Sequence, residues 1–536
     1  MKRKFLLPTI CIIFVLCGAC GRTLEQSDVT SADDALKEVE VSIESDAENS
    51  ENNISEGETQ VMEKIKAMEF IKNPKQHNPV YTQKYSADPY GMVYDGRVYL
   101  YMTGDEPMYD AKGEKITNNY SNINTIRVIS SDDLVNWTNH GEVFAAGKNG
   151  AATWGGNSWA PAACWKMVDG KPKFFLYFAN SGNGIAVLTA DSPVGPFTDP
   201  IGKALISRET PTCAEVAWLF DPAVLVDDDG SAYIYFGGGI PSPDMIKNPG
   251  TARVAKLADD MVSLDGDPKP IENVLYLFED SGINKINGKY IYSYCSNFNV
   301  PEGGCEGHGF DSGEIVTMVS DDPMGPFETI GGVLKNPGFF FKNGGNNHHC
   351  MFEFEGKWYI TYHASLIEEK LGLSSGYRSV NIDKVTFKED GNIGFLRGTK
   401  EGVEQLKSFD PYKETSFTTM SNQVGTDKVA ADENAAKYGS GNFNLKIAEE
   451  GSWTEISGAD FGEKGATKLV FTVKGGKGTL FVRTTLNGDD LGYASFDAFE
   501  DFTECELTLD KAVSGVNDYF FVFAGEGYQL GSYRFE

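Results

Sequence analysis

The stretch Ala87-Asp88-Pro89-Tyr90-Gly91-Met92-Val93-Tyr94-Asp95-Gly96-Arg97-Val98-Tyr99-Leu100-Tyr101 reads as a strand, a tight turn and a second strand. Asp95-Gly96 makes the turn, because a two-residue hairpin loop needs left-handed backbone that Asp, Asn and Gly adopt readily. The aromatic and β-branched residues on either side suit a pleated, half-buried surface. The pattern returns four times. Ser158-Trp159-Ala160-Pro161 leads to Phe174–Tyr177, and Phe220-Asp221-Pro222-Ala223-Val224 leads across Asp229-Gly230 to Tyr233-Ile234-Tyr235. Phe278-Glu279-Asp280-Ser281-Gly282-Ile283 leads across Asn287-Gly288 to Tyr290-Ile291-Tyr292. His348-His349-Cys350-Met351-Phe352 leads across Glu355-Gly356 to Trp358–Tyr362.

A second motif follows every hairpin, at Ile126–Trp137, Ile185–Phe197, Arg253–Gly266, Glu314–Phe327 and Arg378–Gly391. It reads as a third strand, a polar turn and an outer strand. Four strands per unit, repeated five times at intervals of roughly 60–70 residues, predict an all-β chain with a five-bladed β-propeller over residues 76–405. Tandem hairpins in a long sandwich are the alternative, but a closed ring leaves no sheet edge exposed. From Phe409 the periodicity changes. Thr467–Val473, Thr479–Thr485 and Tyr519–Ala524 alternate as short strands and predict a small β-sandwich over residues 410–536, joined through Leu396–Pro411.

The chain has 536 residues, with 47 Lys plus Arg against 77 Asp plus Glu and a formal net charge of −30. Nucleic acid and anionic membrane surfaces are excluded as main partners, since both need clustered basic side chains. A neutral sugar polymer is not. At 41% hydrophobic and 12% aromatic residues the chain can pack sizeable cores.

The N-terminus carries an address. A basic start (Lys2, Arg3, Lys4), an apolar run from Phe5 to Leu16 and small residues before Cys20 have the layout of a secretory signal, too short to span a bilayer. Leu16-Cys17-Gly18-Ala19-Cys20 resembles a bacterial lipobox, which makes residues 1–20 a lipoprotein-type signal peptide and Cys20 the lipidated first residue of the mature chain. Cys17 stands where Leu is more usual, and an ordinary cleaved signal is the alternative. Between Thr23 and Gln60 twelve Asp or Glu face one Lys, with no aromatic residue, so residues 21–75 are expected to form an acidic disordered tether. The expected location is the extracellular face of a bacterial membrane, held only through the lipid on Cys20, or the secreted fraction. Of nine cysteines, six lie beyond Cys20 and none of these forms a CxxC pair. Cys295 and Cys305 are near enough to close a loop, though small buried hydrophobes are the simpler reading.

The inner strand of each blade lines the axis of a propeller, so residues at its start converge. The repeats place Asp88, Trp159, Asp221, Glu279 and His349 there. One Asp-Pro alone is a turn residue; three carboxylates at matching positions ask for another explanation. Clustered carboxylates raise one another's pKa and divide into an acid and a base, which is what cleaving a glycosidic bond requires. Trp159, Trp154, Phe298 and Tyr377 are candidate sugar-stacking rings, with core packing as the alternative for each, and Arg378 is a candidate hydrogen-bonding cation. Trp154 sits in the Gly-rich loop Trp154-Gly155-Gly156-Asn157, where exposure is expected.

The segments YSADPYGMVYDGRVYLY, NSWAPA, LFDPAVLVDDDG, LFEDSGINKINGKYIYSYCSNF and NHHCMFEFEGKWYITYH together resemble glycoside hydrolase family 43, in particular its arabinoxylan arabinofuranohydrolases. The resemblance runs over residues ~76–400 and uses all five blades. It implies an inverting enzyme that removes α-L-arabinofuranosyl side groups from arabinoxylan of the plant cell wall. Asp88 matches the general base, Glu279 the general acid, and Asp221 the carboxylate that orients the acid and tunes its pKa. Inversion implies an acid–base separation of ~6.5–9.5 Å. Arg378 matches a sugar-pocket arginine, and Trp159 and Phe298 match positions near the xylan cleft. A structural calcium is implied near Asn346-Asn347-His348-His349, with Asn347 and His349 as its candidate ligands. The C-terminal region resembles family 6 carbohydrate-binding modules, although Gly531-Ser532-Tyr533 stands where many carry an Asp followed by aromatics. β-Xylosidase or arabinanase activity on the same fold, and a non-catalytic surface sugar-binding propeller, are the competing readings. A monomer is expected.

Overall fold

The structure, a computed structural model, describes residues 65–536; the signal peptide, Cys20 and the tether as far as residue 64 lie outside the described residues. Each hairpin forms as its turn dictates. Blade one lays Ser86–Tyr94, Arg97–Gly104, Thr125–Ser131 and Trp137–Phe144 side by side. Blade three uses Ala223–Val226, Ala232–Phe236, Arg253–Leu257 and the short Lys269–Pro270. Blade four uses Leu277–Ile286, Lys289–Ser296, Ile315–Ser320 and Glu328–Leu334.

Blades two and five depart from four strands. Blade two has Trp159–Val168, Lys171–Ala179 and Ile185–Ala190, and its outer segment is reduced to a single bridge between Thr189 and Thr198. Pro196 and Pro200 flank Thr198, and proline has no N–H to give a ladder. Blade five has His349–Phe354, Lys357–Ala364 and Ser379–Lys384. Residues 78–86, from ahead of blade one, flank its third strand. The Val80 N–H donates to the Val380 carbonyl at 2.9 Å, and the Ser86 N–H to the Arg378 carbonyl at 2.9 Å.

Every neighbouring pair of blades shares a buried apolar cluster. The last joins Phe352, Tyr359 and Ile382 of blade five to Val98, Leu100 and Ile129 of blade one, which closes the ring. The inner strands touch one another around the axis.

The C-terminal β-sandwich faces one sheet, in the order Thr426–Ala430, Phe443–Ile447, Tyr528–Phe535, Ala466–Gly475 and Phe499–Val513, against a second. The second runs Asn422–Val424, Trp453–Asp460, Val516–Ala524, Gly478–Arg483 and Gly492–Phe496. Leu469, Phe471, Phe521 and Phe535 fill the space between.

Two expected boundaries shift. Residues 65–75 are not tether: Ala67, with Ile65, Met68 and Phe70, packs on Trp453 and Phe520 of the sandwich. The buried Lys72 ammonium donates to the carbonyls of Ser421 at 2.7 Å and Pro79 at 2.9 Å. The acidic run ends near Glu58, and the apolar residues from Ile65 onward carry the change. Thr419–Met420, assigned to the sandwich, pairs with Trp137 and Thr138 as a fifth strand of blade one.

Candidate active site

In blades one and two the inner strand carries one residue more than its partner, and blade four repeats that bulge after a further extra residue between Leu277 and Glu279. Ala87 faces Thr103 and Tyr90 faces Tyr101; Trp159 faces Ala179 and Ala162 faces Tyr177; Glu279 faces Cys295 and Gly282 faces Ser293. Such a bulge re-aims the side chains beside it. The first bulged residue takes left-handed backbone: φ is 45° at Asp88, 40° at Ala160 and 70° at Asp280, and Asp221 ahead of the inner strand of blade three matches them at 49°. Each costs about 1–3 kcal/mol, a strain that clusters at functional sites.

The bulges correct the sequence alignment. Asp88, Ala160, Asp221 and Asp280 form one equivalent set, while Trp159 and Glu279 belong one residue earlier, with Ala87 and Phe220. The carboxylate matching Asp88 and Asp221 is therefore Asp280. The dipeptides Asp88-Pro89, Ala160-Pro161, Asp221-Pro222 and Asp280-Ser281 held the signal.

The structure brings Asp88, Asp221 and Glu279 together in a buried polar cluster. Arg378 donates through Nη1 to Asp88 at 2.9 Å and grips Asp105 through Nε at 2.9 Å and Nη2 at 2.8 Å. His363 accepts the Asp88 N–H on Nδ1 at 3.2 Å and donates from Nε2 to the Asn346 carbonyl at 3.0 Å. The His348 ring stands 3.8 Å from both Asp88 and Asp221 and 3.2 Å from Asp280. Asp221 accepts the Asp280 N–H at 2.9 Å and so holds the peptide that follows Glu279. Glu279 Oε1 is buried without a hydrogen-bond partner in the protein.

These surroundings drive the carboxyl groups apart. Burial alone would raise Asp88, but the Arg378 guanidinium, helped by His348, holds it well below the usual carboxylate range. Burial, then the charges of Asp221, Asp88 and Asp280, hold Glu279 well above that range. Burial pushes Asp221 up to about 7, against the pull of His348. The surroundings thus favour the ionised form of Asp88 and the protonated form of Glu279, a bias in opposite directions that separates a base from an acid.

Other candidates fare unevenly. Arg378, expected to reach sugar, is buried and committed to Asp88 and Asp105, with the Tyr120 ring 5.1 Å from its guanidinium carbon. Trp159 is half-buried and donates to the Tyr120 carbonyl at 3.0 Å. Trp154 is not brought to the carboxylates: it packs on the apolar cluster between blades one and two and donates to Asp199 at 2.8 Å. Tyr377 is fully buried, its hydroxyl accepting the Met108 N–H at 2.8 Å and donating to the Ile116 carbonyl at 3.0 Å. Phe298 packs against the cluster between blades four and five and meets Phe278 edge-on at 5.0 Å.

Sequence reasoning missed Trp218. It is 37% exposed and lies edge-on to Phe220 at 5.3 Å and to Phe278 at 5.2 Å. Those two rings immediately precede Asp221 and Glu279, so Trp218, Phe220, Phe278 and Phe298 form an aromatic row beside the carboxylates. Its signal was position, three residues ahead of Asp221. Asp105 and His363 were missed as well; each ends or follows a second strand, a place the repeat comparison did not sample.

The proposed calcium ligands do not fit a calcium ion. His349 has both ring nitrogens engaged, Nδ1 with Asp280 at 2.5 Å and Nε2 with Ser293 at 2.8 Å. Asn347 donates to the Gly313 carbonyl at 3.1 Å and leaves a buried Oδ1 without a partner. One amide oxygen falls far short of the ~6–8 oxygens that calcium takes. No group of three or more His, Cys, Asp or Glu side chains is arranged to hold a metal ion among the described residues. The six cysteines there, Cys295 and Cys305 included, are all unbridged.

Cleaving a glycosidic bond asks for a carboxylic acid and a carboxylate on either side of the scissile linkage, and a propeller that holds such a pair belongs by class with the β-propeller glycoside hydrolases. The family model of glycosyl hydrolases family 43 matches residues 76–393, and the chain belongs to that family. It is 45% identical over 478 residues to an arabinoxylan arabinofuranohydrolase of Paenibacillus polymyxa, covering 85% of this chain and 73% of that protein. With the arabinoxylan arabinofuranohydrolase of Bacillus subtilis (strain 168) it shares 43% identity over 472 residues, 84% of this chain and 90% of that one. The fold matches a crystal structure of a family 43 arabinoxylan arabinofuranohydrolase from Bacillus subtilis in complex with cellotetraose. The TM-score is 0.81 at 41% identity, over 87% of this chain and 99% of that chain.

Proposed function

We propose that this chain is an inverting glycoside hydrolase that removes α-L-arabinofuranosyl side groups from arabinoxylan. The observation that carries the chemistry is Asp88 paired with the Arg378 guanidinium in the same buried cluster as Glu279, whose Oε1 has no partner, an arrangement that drives the two carboxyl groups in opposite directions. The names of the two arabinoxylan arabinofuranohydrolases that the chain resembles over most of its length carry the substrate. In this reading Glu279 protonates the glycosidic oxygen as the bond to the arabinose breaks, and Asp88 takes the proton of the water attacking from the opposite face. Asp221 touches the acid through the backbone and its charge, not through a proton of its own. The row from Trp218 to Phe298 offers flat faces for the xylan chain, with one polar rim at the Tyr120 carbonyl and Trp159. A sugar-binding propeller without activity would have no need to drive two carboxyl groups in opposite directions. No step of this reaction is assigned to calcium.

The purified protein is expected to release arabinose, and no xylose, from wheat arabinoxylan, with little product from linear arabinan or xylobiose. Proton NMR of the first product should show the β-anomer. Xylose from xylobiose as the main product would replace the reading with a β-xylosidase, and linear arabinan as the best substrate would replace it with an arabinanase.

The location follows from residues 1–64. Lipid on Cys20 would hold the enzyme at the outer face of a bacterial membrane, with the acidic stretch as spacer. The full-length protein should then partition with membranes and Cys20→Ala with the soluble fraction; equal partitioning of the two would show that Cys20 carries no anchor.

A further inference from the structure

Residues 105–124, between the second and third strands of blade one, reach across the join of the ring to the segment that carries Arg378. Their own side chains hold them there. The Asn118 N–H donates to the Ser375 carbonyl at 2.8 Å. Lys115 donates to the Tyr85 hydroxyl at 2.9 Å and stands 3.6 Å from one oxygen of Glu368. The other oxygen accepts the N–H groups of Ser375 at 2.8 Å and Gly376 at 2.9 Å. With the Tyr377 hydroxyl spanning Met108 and Ile116, these contacts fix the loop that presents Tyr120. Tyr120 has a backbone that a tyrosine resists. Its φ is 62°, in the left-handed region where glycine sits freely and a bulky side chain is strained. The Asn118 side chain accepts its N–H at 2.9 Å and holds the turn. Both ends of the residue are used. The ring lies over the Arg378 guanidinium, 5.1 Å from its carbon and within cation–π range, and the carbonyl accepts the Trp159 indole at 3.0 Å. Arg378 leads into blade five and Trp159 opens blade two, so one residue of blade one joins the two flanking blades beside the carboxylates.

We infer that Tyr120 is a positioning residue of the reaction: its ring caps the Arg378 guanidinium and keeps that fork seated on Asp88 as well as Asp105, so that the base stays aimed at the attacking water. The inference rests on the function proposed above, in which Asp88 is that base. The guanidinium grips Asp105 with two nitrogens, Nε and Nη2, and meets Asp88 with Nη1 alone. The doubled side is the firm one. A tilt of the guanidinium plane about it would lift Nη1 from Asp88 and leave the pair with Asp105 whole. A ring lying on the face of that plane stands in the way of the tilt and attracts the cation besides. Hence the strain at Tyr120: the left-handed turn is what lays the ring on Arg378 while the carbonyl meets Trp159.

Steady-state kinetics of three full-length variants on arabinoxylan, taken across pH, test the inference. Tyr120→Phe keeps the ring and should behave as the parent does. Tyr120→Leu and Tyr120→Gly remove it and should lower kcat about tenfold or more, as a displaced catalytic group does. KM should change little, because every variant keeps the backbone carbonyl that holds Trp159. Glycine takes the left-handed turn without strain, so Tyr120→Gly guards against a Leu variant that fails to fold. The acid limb of kcat/KM should move to higher pH in both, since a loosened guanidinium depresses Asp88 less. Asp105, Asp221, Glu279, His348 and His363, the other charged or titratable groups that face this pair, stay the same throughout. An unmoved acid limb with parent-like kcat in Tyr120→Gly would overturn the inference, and so would an equal loss in Tyr120→Phe. A crystal structure of Tyr120→Gly gives a reading that needs no turnover: Nη1 should leave Asp88 with the Asp105 pair intact, and a guanidinium still in place would overturn the inference. A parent chain that released no arabinose would overturn the proposed function and leave that structural reading to decide the role of the ring.

Discussion

Glu279→Gln should lose turnover on unactivated arabinoxylan by about 10²-fold or more, the scale set by a positioned general acid. Gln fills the same volume and leaves the Asp280 N–H in the grip of Asp221, so substrate binding should stay near that of the parent. The measurement is single-turnover hydrolysis alongside binding of an arabinose-substituted xylan oligosaccharide. Near-normal hydrolysis would remove Glu279 from the chemistry. Two partner variants sharpen the result. Asp88→Asn should abolish activity at every pH, because no other ionised carboxylate is placed to take the proton from water. Asp221→Asn should lower turnover and move the alkaline limb of the pH–rate profile to lower pH. Loss of a negative neighbour lets Glu279 ionise sooner, and the acid is needed in its protonated form. An alkaline limb that stays in place would reduce Asp221 to a backbone anchor.

Arg378→Met should be the most destabilising single change at the site. It leaves Asp88 and Asp105 buried without their shared cation, and breaking a buried pair from one side costs about 3–5 kcal/mol. The sign with pH follows from the direction of the shift. Asp88 is depressed in the folded state, so its pairing stabilises the protein above the ordinary carboxylate pKa, and that contribution fades as pH falls through the depressed value. Without Arg378 burial takes over and the Asp88 pKa rises. The acid limb of kcat/KM should therefore move to higher pH, since the base must be ionised. Arg378→Lys, which keeps the charge but not the fork, should fall between the two and guards against a Met variant that fails to fold. Denaturant unfolding and the pH profile of kcat/KM check both halves; an unmoved acid limb would show that Arg378 does not set the state of Asp88.

The ring was legible because hairpin turns are local. Asp95-Gly96, Asp229-Gly230 and Asn287-Gly288 announce themselves within a few residues, and five such announcements leave little choice of architecture. Asp88 and Asp221 were legible for the same reason, at the head of each repeat. The offset of Glu279 was not, because a bulge is a property of two paired strands, and one strand read alone does not show the extra residue. Arg378 was found but its grip on Asp105 was not: that partner lies 273 residues away, outside any repeat comparison. Trp154 was legible only in part, since its glycine-rich loop leaves it partly exposed but one strand read alone did not show the apolar cluster and Asp199 that its indole meets. His349 failed because its sequence neighbours suggested a metal, while its ring was already spoken for by Asp280 and Ser293.

Thr419 and Met420 extend blade one by a strand, although they lie far past the end of the fifth repeat. The ring is therefore not a self-contained cassette. A gene fusion or truncation cut at residue 405 would leave Trp137–Phe144 as a bare sheet edge, open to pairing with another chain. It would also strip away the Ser421 carbonyl that Lys72 binds. Recombination could exchange this sandwich for another module only if the newcomer brought an equivalent of those two residues, so the pair of domains is constrained to be inherited, and to be engineered, as one piece.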